Sequence, residues 1–195
     1  MTEPKRRKPG RPRDLDTHEA ILGATRSILL AKGYHELTFE AVAKAAGTTR
    51  STVYRWWPTR GTLVLEAAAD NIDIGEVPDS GDSRTDVRSA VKQLIETFSD
   101  PLAKIVIMAA VANLDGDMKM ATQFRESAVY PWRSTAAAAF DRARQRGDLP
   151  PESDPDFLLN VIVGTVFQCT IVPASPMLGG LEERLVDLVL PPPDR

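Results

Sequence analysis

From Thr38 to Leu63 the chain reads TFEAVAKAAGTTRSTVYRWWPTRGTL, a pattern of two short helices joined at a glycine. Thr38 is placed to cap the first, whose inner stripe is Phe39, Val42, Ala43 and Ala46, and Gly47 ends it. Thr48 or Thr49 caps the second. There Val53 and Trp57 stand four residues apart and face a core together. That leaves Arg50, Ser51, Thr52, Tyr54, Arg55 and Trp56 nearer the outer surface. Pro58-Thr59 ends this helix and starts another through Leu63, Leu65 and Ala68 towards Ile72.

Two short helices at a glycine turn, the second carrying outward arginines, hydroxyls and aromatics, are the pattern of a helix-turn-helix that reads DNA. The second helix of such a unit lies in the major groove, and flanking groups touch phosphates. Arg50 and Arg55 suit the O6 and N7 acceptors of guanine, and Thr52 offers a methyl to thymine or a hydroxyl to a base edge. Thr38, Tyr54 and Arg60 suit phosphate; Thr49, Ser51 and Trp56 complete the expected contact set.

The charge distribution fits this reading. Residues 1–60 hold 12 Lys and Arg against 6 Asp and Glu; residues 61–195 hold 12 against 21. A basic head on an acidic body directs one face of the molecule to a polyanion. Residues 1–15 are basic and broken by Pro4, Pro9, Gly10 and Pro12, and are expected to be a disordered arm. Its Pro9-Gly10-Arg11-Pro12-Arg13 is similar to the core of an AT-hook, placing Arg11 and Arg13 as minor-groove candidates.

Helical periodicity runs through the rest, and no alternating strand pattern appears, so the expected class is all-α. Asp16 with Glu19 gives a capping-box-like start to a first helix that runs to Lys32 and stops at Gly33. Gly75 to Ser83 marks a boundary, giving a DNA-binding unit over 16–74 and a second helical domain over 82–195. Later helices are expected at Val87–Phe98, Leu102–Leu114, Met118–Tyr130 (ending at Pro131), Trp132–Arg146, Asp156–Val172 and Leu181–Leu190.

Other classes fall away. The single cysteine, Cys169, lies in an apolar segment and allows no disulfide within one chain; with no signal-peptide pattern, the expected compartment is the cytoplasm. The uncharged run Phe157–Val172 spans about 24 Å as a helix, short of a bilayer core of about 30 Å, so no membrane span is expected. With two histidines, no phosphate loop, no nucleophile motif and no metal-ligand spacing, neither an enzyme, a cofactor nor a metal site is expected.

Gly33-Tyr34, Leu37-Thr38, Ala46-Gly47, Ser51-Thr52-Val53-Tyr54, Trp57-Pro58-Thr59-Arg60 and Leu63 together resemble the N-terminal signature of the tetracycline-repressor (TetR) family of transcriptional regulators. Arg60 stands where lysine is usual, and it keeps the charge. The resemblance implies a homodimer on a near-palindromic operator, repressing transcription and released when a small molecule enters the C-terminal domain. Activation stays open, because its sign depends on where the operator lies. The resemblance also implies an effector pocket for an apolar ligand, with Phe98, Met108, Val111, Leu114, Phe124, Trp132 and Phe167 as candidates; Met120, Tyr130 and Phe140 lie in the same region. It further implies a dimer interface made by two late helices, with candidates Phe157, Val161, Gly164, Gln168, Leu181, Leu185 and Leu188.

Overall fold

The computed structural model describes residues 12–72, 75–112, 118–172 and 179–191. All regular structure among the described residues is helical, in two compact units divided between Ala67 and Ala68. The proline- and glycine-bearing stretch 75–83, expected as the boundary, therefore falls inside the second unit.

The first unit holds α1 (Pro12–Lys32), α2 (Phe39–Ala45), α3 (Arg50–Trp56) and α4 (Arg60–Ala67). α1 begins four residues before the expected Asp16 cap, so Arg13 belongs to a helix and not to the arm. The cause is Pro12: at the first helical position its missing N–H has no partner to lose and its φ is already helical. Arg11 lies outside the described residues. Thr38 caps α2, its Oγ1 accepting from Ala41 N at 3.1 Å, and Thr49 caps α3 by accepting from Thr52 N at 3.3 Å. Gly47 lies between them at φ +65°, a left-handed turn that a side chain rarely adopts. α2 and α4 pack on α1. Ile21, Leu29, Leu37, Val42, Val53, Trp57 and Leu63 are fully or almost fully buried, so Val53 and Trp57 do face the core together.

The second unit opens with a short 3-10 turn, Ala69–Asn71, followed by α5 (Ser83–Ser99), α6 (Pro101–Ala112), α7 (Met118–Phe124), α8 (Tyr130–Arg146), α9 (Pro155–Ile171) and α10 (Leu181–Val189). α5 is the centre, packed by α6, α8, α9 and α10. Its Val87, Val91 and Leu94 are buried, as are Leu102 and Val106 of α6, Phe140 of α8, Leu159 and Val166 of α9 and Val186 of α10.

Pro131 does not end a helix. Between α7 and α8 the backbone runs through a π turn, Arg125–Val129, and the Tyr130 N–H donates to the Arg125 carbonyl. A proline inside an α-helix clashes with the carbonyl four residues back; widening the turn before it relieves the clash, and the helical run continues.

The loop before α5 is held by a buried carboxylate. Asp86, fully buried, accepts from the Ser80 N–H (2.9 Å) and hydroxyl (2.6 Å) and from Arg146 Nη1 at 3.3 Å, with Arg142 at 3.8 Å. Arg146 and Arg142 also pair with Asp79 at 2.6 and 3.2 Å. Burial pushes the Asp86 carboxyl up, but the hydrogen bonds from Ser80 and Arg146 and the Arg142 charge outweigh it, and its pKa is lowered.

Candidate functional site

α3 is only seven residues long, and its one buried side chain is Val53. Everything else it carries is available to its outer face or to the rim of the unit. Arg50, Ser51, Tyr54 and Arg55 are exposed, whereas Thr52 and Trp56 are half-buried. Thr49 is exposed and its hydroxyl lies 2.9 Å from that of Ser51 and 3.0 Å from that of Thr52, a chain of hydroxyls at the helix start.

Arg50 is held before any partner arrives. Its Nη2 donates to the Tyr54 hydroxyl at 3.2 Å, its Nη1 donates to Glu40 Oε1 at 3.2 Å, and its guanidinium lies 5.2 Å from the Tyr54 ring centre. The Tyr54 hydrogen bond, followed by the charges around it, raises the pKa of Arg50 further. Tyr54 is itself fixed edge-on against Phe39, ring centres 4.3 Å apart. Sequence reasoning missed Glu40: it stands on α2, ten residues from Arg50, and no spacing rule joins the two.

The residues expected to meet phosphate, Thr38, Tyr54 and Arg60, line one open depression with Arg50, Thr59 and Glu40. Arg60 has a structural task. Its Nη1 donates to the Leu37 carbonyl at 2.7 Å and its guanidinium lies over Tyr34, so it also ties the start of α4 to the turn before α2.

The rear of α3 is braced by aromatic stacking. Arg55 lies 5.4 Å over Trp56, which stands edge-on to Trp57 and against His18. Glu66 joins the set: it accepts from Trp57 Nε1 at 2.6 Å and lies 2.9 Å from His18 Nε2. A buried indole N–H without an acceptor would be costly, and Glu66 supplies one from α4. Trp56, expected as a contact residue, is therefore a brace within the unit. Glu66 was invisible in the sequence because its partners lie nine and 48 residues away, outside its own helix.

The second unit contains a cavity of about 200 Å³ lined by Ile72, Leu94, Thr97, Phe98, Ile107, Val111, Phe124, Ala128, Val129, Trp132, Arg133, Val163 and Phe167. Phe98, Val111, Phe124, Trp132 and Phe167 are there as expected, the two rings of Phe98 and Phe167 meeting edge to face. Met108 is not; it is on the surface of α6, 37% exposed, because the inner face of that helix belongs to Val106, Ile107 and Ala110. Leu114 lies outside the described residues. Met120 and Phe140 are core and Tyr130 is exposed. Arg133, not foreseen, lines the cavity with its guanidinium bonded to Asp156 (2.7 Å) and Asn160 (3.0 Å) on α9.

The expected interface residues divide. Phe157 is 63% exposed, Gly164 and Gln168 are exposed and Val161 is half-buried, so all four share an outer stripe of α9. On α10, Leu188 is 66% exposed, but Leu181 and Leu185 are buried within their own protomer and do not face a partner. The reason is that α10 has a single apolar stripe, Leu181, Leu185, Val186 and Val189, and packs on α5. Arg84 and Arg88 of α5 lock it there by ion pairs to Glu182, Glu183 and Asp187.

No described helix is long and apolar enough to cross a membrane. Comparison with known proteins agrees with the two-unit division. Residues 21–67 match the family model described as bacterial regulatory proteins, tetR family, and residues 77–189 match that of the tetracyclin repressor-like C-terminal domain. The HTH-type transcriptional regulator YdeS of Bacillus subtilis (strain 168) is 30% identical over 164 residues, covering 82% of this chain and 81% of that protein. The crystal structure of the TetR family transcription regulator SCO0332 superposes with a TM-score of 0.62 at 28% identity, over 88% of this chain and 95% of that one. That of AibR in complex with isovaleryl coenzyme A and operator DNA superposes at 0.64 over 90% and 99%, at 18% identity, a likeness of fold. The chain belongs to the tetR family of bacterial regulatory proteins: it is a helix-turn-helix, DNA-binding transcriptional regulator and not an enzyme.

Proposed function

We propose that the protein is a cytoplasmic repressor that binds a near-palindromic operator as a homodimer and leaves it when a small apolar molecule occupies the cavity of the second unit. The observation that carries the reading is the outer face of α3, where Arg50 and Arg55 stand exposed beside the hydroxyls of Thr49, Ser51 and Thr52. The arginines read guanine edges, and Thr38, Tyr54 and Arg60 hold phosphate in the depression beside them. A gel shift on the gene's own upstream region tests this. Selective retardation at about 150 mM salt supports it; salt-sensitive retardation of every fragment alike contradicts it.

Residues 1–11 carry five Lys and Arg and act as the minor-groove arm. Deleting them is expected to weaken operator binding and to lower the slope of log affinity against log salt by about 1 for each phosphate the arm neutralises. Unchanged affinity and slope would exclude the arm.

The dimer face is the outer stripe of α9. At Gly164 an added Cβ meets nothing within 4 Å in the protomer, so Gly164→Arg leaves the fold intact and blocks only what packs on that face. Sedimentation velocity should show monomers for this variant; a persistent dimer places the interface elsewhere.

A further inference from the structure

The wall that α7 and α8 give to the cavity of the second unit contains a break in helix geometry. Five of the thirteen lining residues come from this run: Phe124, then Ala128 and Val129 in the π turn, then Trp132 and Arg133. At about 100° per residue, an uninterrupted α-helix would set Phe124 and Arg133 about 180° apart and spread the five over half its circumference. A turn closed by an i→i+5 bond takes up roughly one residue more than an α turn, and so rotates everything beyond it back by about 90°. The Tyr130 N–H and the Arg125 carbonyl make that bond. The five residues then share an arc of about 120° and can face one cavity together.

Resting on the reading of this cavity as the effector site, we propose that the π turn imposed by Pro131 sets the register of this wall, and that the site so built receives an uncharged, hydrocarbon-like molecule the size of a small alkylbenzene. Pro131 has no N–H to offer the Ser127 carbonyl, and in an α turn its ring would clash with that oxygen. Alanine at 131 removes both obstacles. The size follows from the volume: a dry apolar cavity of roughly 150 Å³ accepts benzene, so about 200 Å³ takes about eight or nine non-hydrogen atoms. The class follows from the walls. Apart from Thr97 and Arg133 every lining side chain is apolar or aromatic, and the Arg133 guanidinium is bonded to Asp156 and Asn160. A ligand charge buried here would lose its water without gaining a free counter-charge.

The test measures the binding of isopropylbenzene and of benzoate, two probes of nearly equal size, by ligand-observed NMR. The proteins are the full chain, Pro131→Ala, and Pro131→Ala with Ser127 deleted. Pro131 and Ser127 are both exposed, so neither change removes a core side chain. Isopropylbenzene should bind the native protein about tenfold more tightly than benzoate, or better. Pro131→Ala should lose about tenfold or more in isopropylbenzene affinity, because a regular helix carries Trp132 and Arg133 about 90° out of place relative to Phe124. Deleting Ser127 from that variant takes out the residue that the π turn accommodates, so an α-helix restores nearly the same arc. Affinity should return to within about threefold of native. In the native protein, bound isopropylbenzene should give NOEs to the methyl groups of both Ala128 and Val129, a readout that needs neither variant to fold.

Equal isopropylbenzene affinity in the native protein and Pro131→Ala, no recovery on deleting Ser127, or NOEs missing from Ala128 and Val129, overturns the role of the π turn while leaving the cavity as a binding site. Tighter benzoate binding overturns the uncharged class. No binding of either probe to the native protein up to its solubility overturns both the proposal and the effector reading on which it rests.

Discussion

Replacing Asp86 by alanine is expected to destabilise the second unit by about 3 kcal/mol, roughly 10 °C in melting temperature. The carboxylate is the point where three segments meet: Ser80 of the loop before α5, α5 itself and the end of α8. Without it the Ser80 N–H and hydroxyl lose their acceptor, and Arg142 and Arg146 lose their buried counter-charge. The figure sits at the low end for a broken buried pair because both arginines keep Asp79 and are about a quarter exposed. Asp86→Asn, which keeps an acceptor but no charge, should fall between. The pH dependence has a defined sign. The folded-state pKa is lowered, so the stabilisation is present above the unfolded value, near 4, and is lost as the pH falls below it through the folded value. Urea melts from pH 7 to 3 should therefore show the gap between wild type and Asp86→Ala narrowing at the acid end. A constant gap would mean that packing, not charge, holds the loop.

The second large effect is on DNA. Arg50→Ala with Arg55→Ala should cost about a thousandfold in operator affinity, each arginine contributing about tenfold to a hundredfold through base contacts. Both side chains are exposed, so the melting temperature of the first unit should stay close to wild type. Arg50 is bonded to Glu40 and Tyr54 in the free protein, so a base contact is expected to replace the Glu40 pair. Non-specific binding should persist in the double variant, since Arg60 and the basic N-terminal residues still attract phosphate. Equal loss on operator and random DNA would make the arginines phosphate contacts.

Local signals in the sequence were enough for α2, α3 and the turn between them. Thr38, Gly47 and the Val53–Trp57 pair each specify a cap, a turn or a buried face within a few residues, and the structure has all of them. Local rules failed where the partner is distant. Asp86 to Arg146 spans 60 residues, Arg84 to Asp187 spans 103, and neither pair has a periodicity that would reveal it. The same limit explains Leu181 and Leu185: an apolar stripe says that a helix is covered, not whether α5 or a second chain covers it. Pro131 has a different cause: a rule about α-helices met a π turn. In the cavity, aromatic residues were legible as a group, but the place of Arg133 depends on how α8 and α9 meet.

The expected role of α3 is to select a DNA sequence on behalf of a dimer. Its most direct test is selection of the full chain on a random double-stranded DNA pool, with the Arg50→Ala, Arg55→Ala variant in parallel. The predicted result is an enriched inverted repeat of two related half-sites for the native protein and none for the variant. No enriched sequence, or the same motif enriched by both proteins, would contradict it.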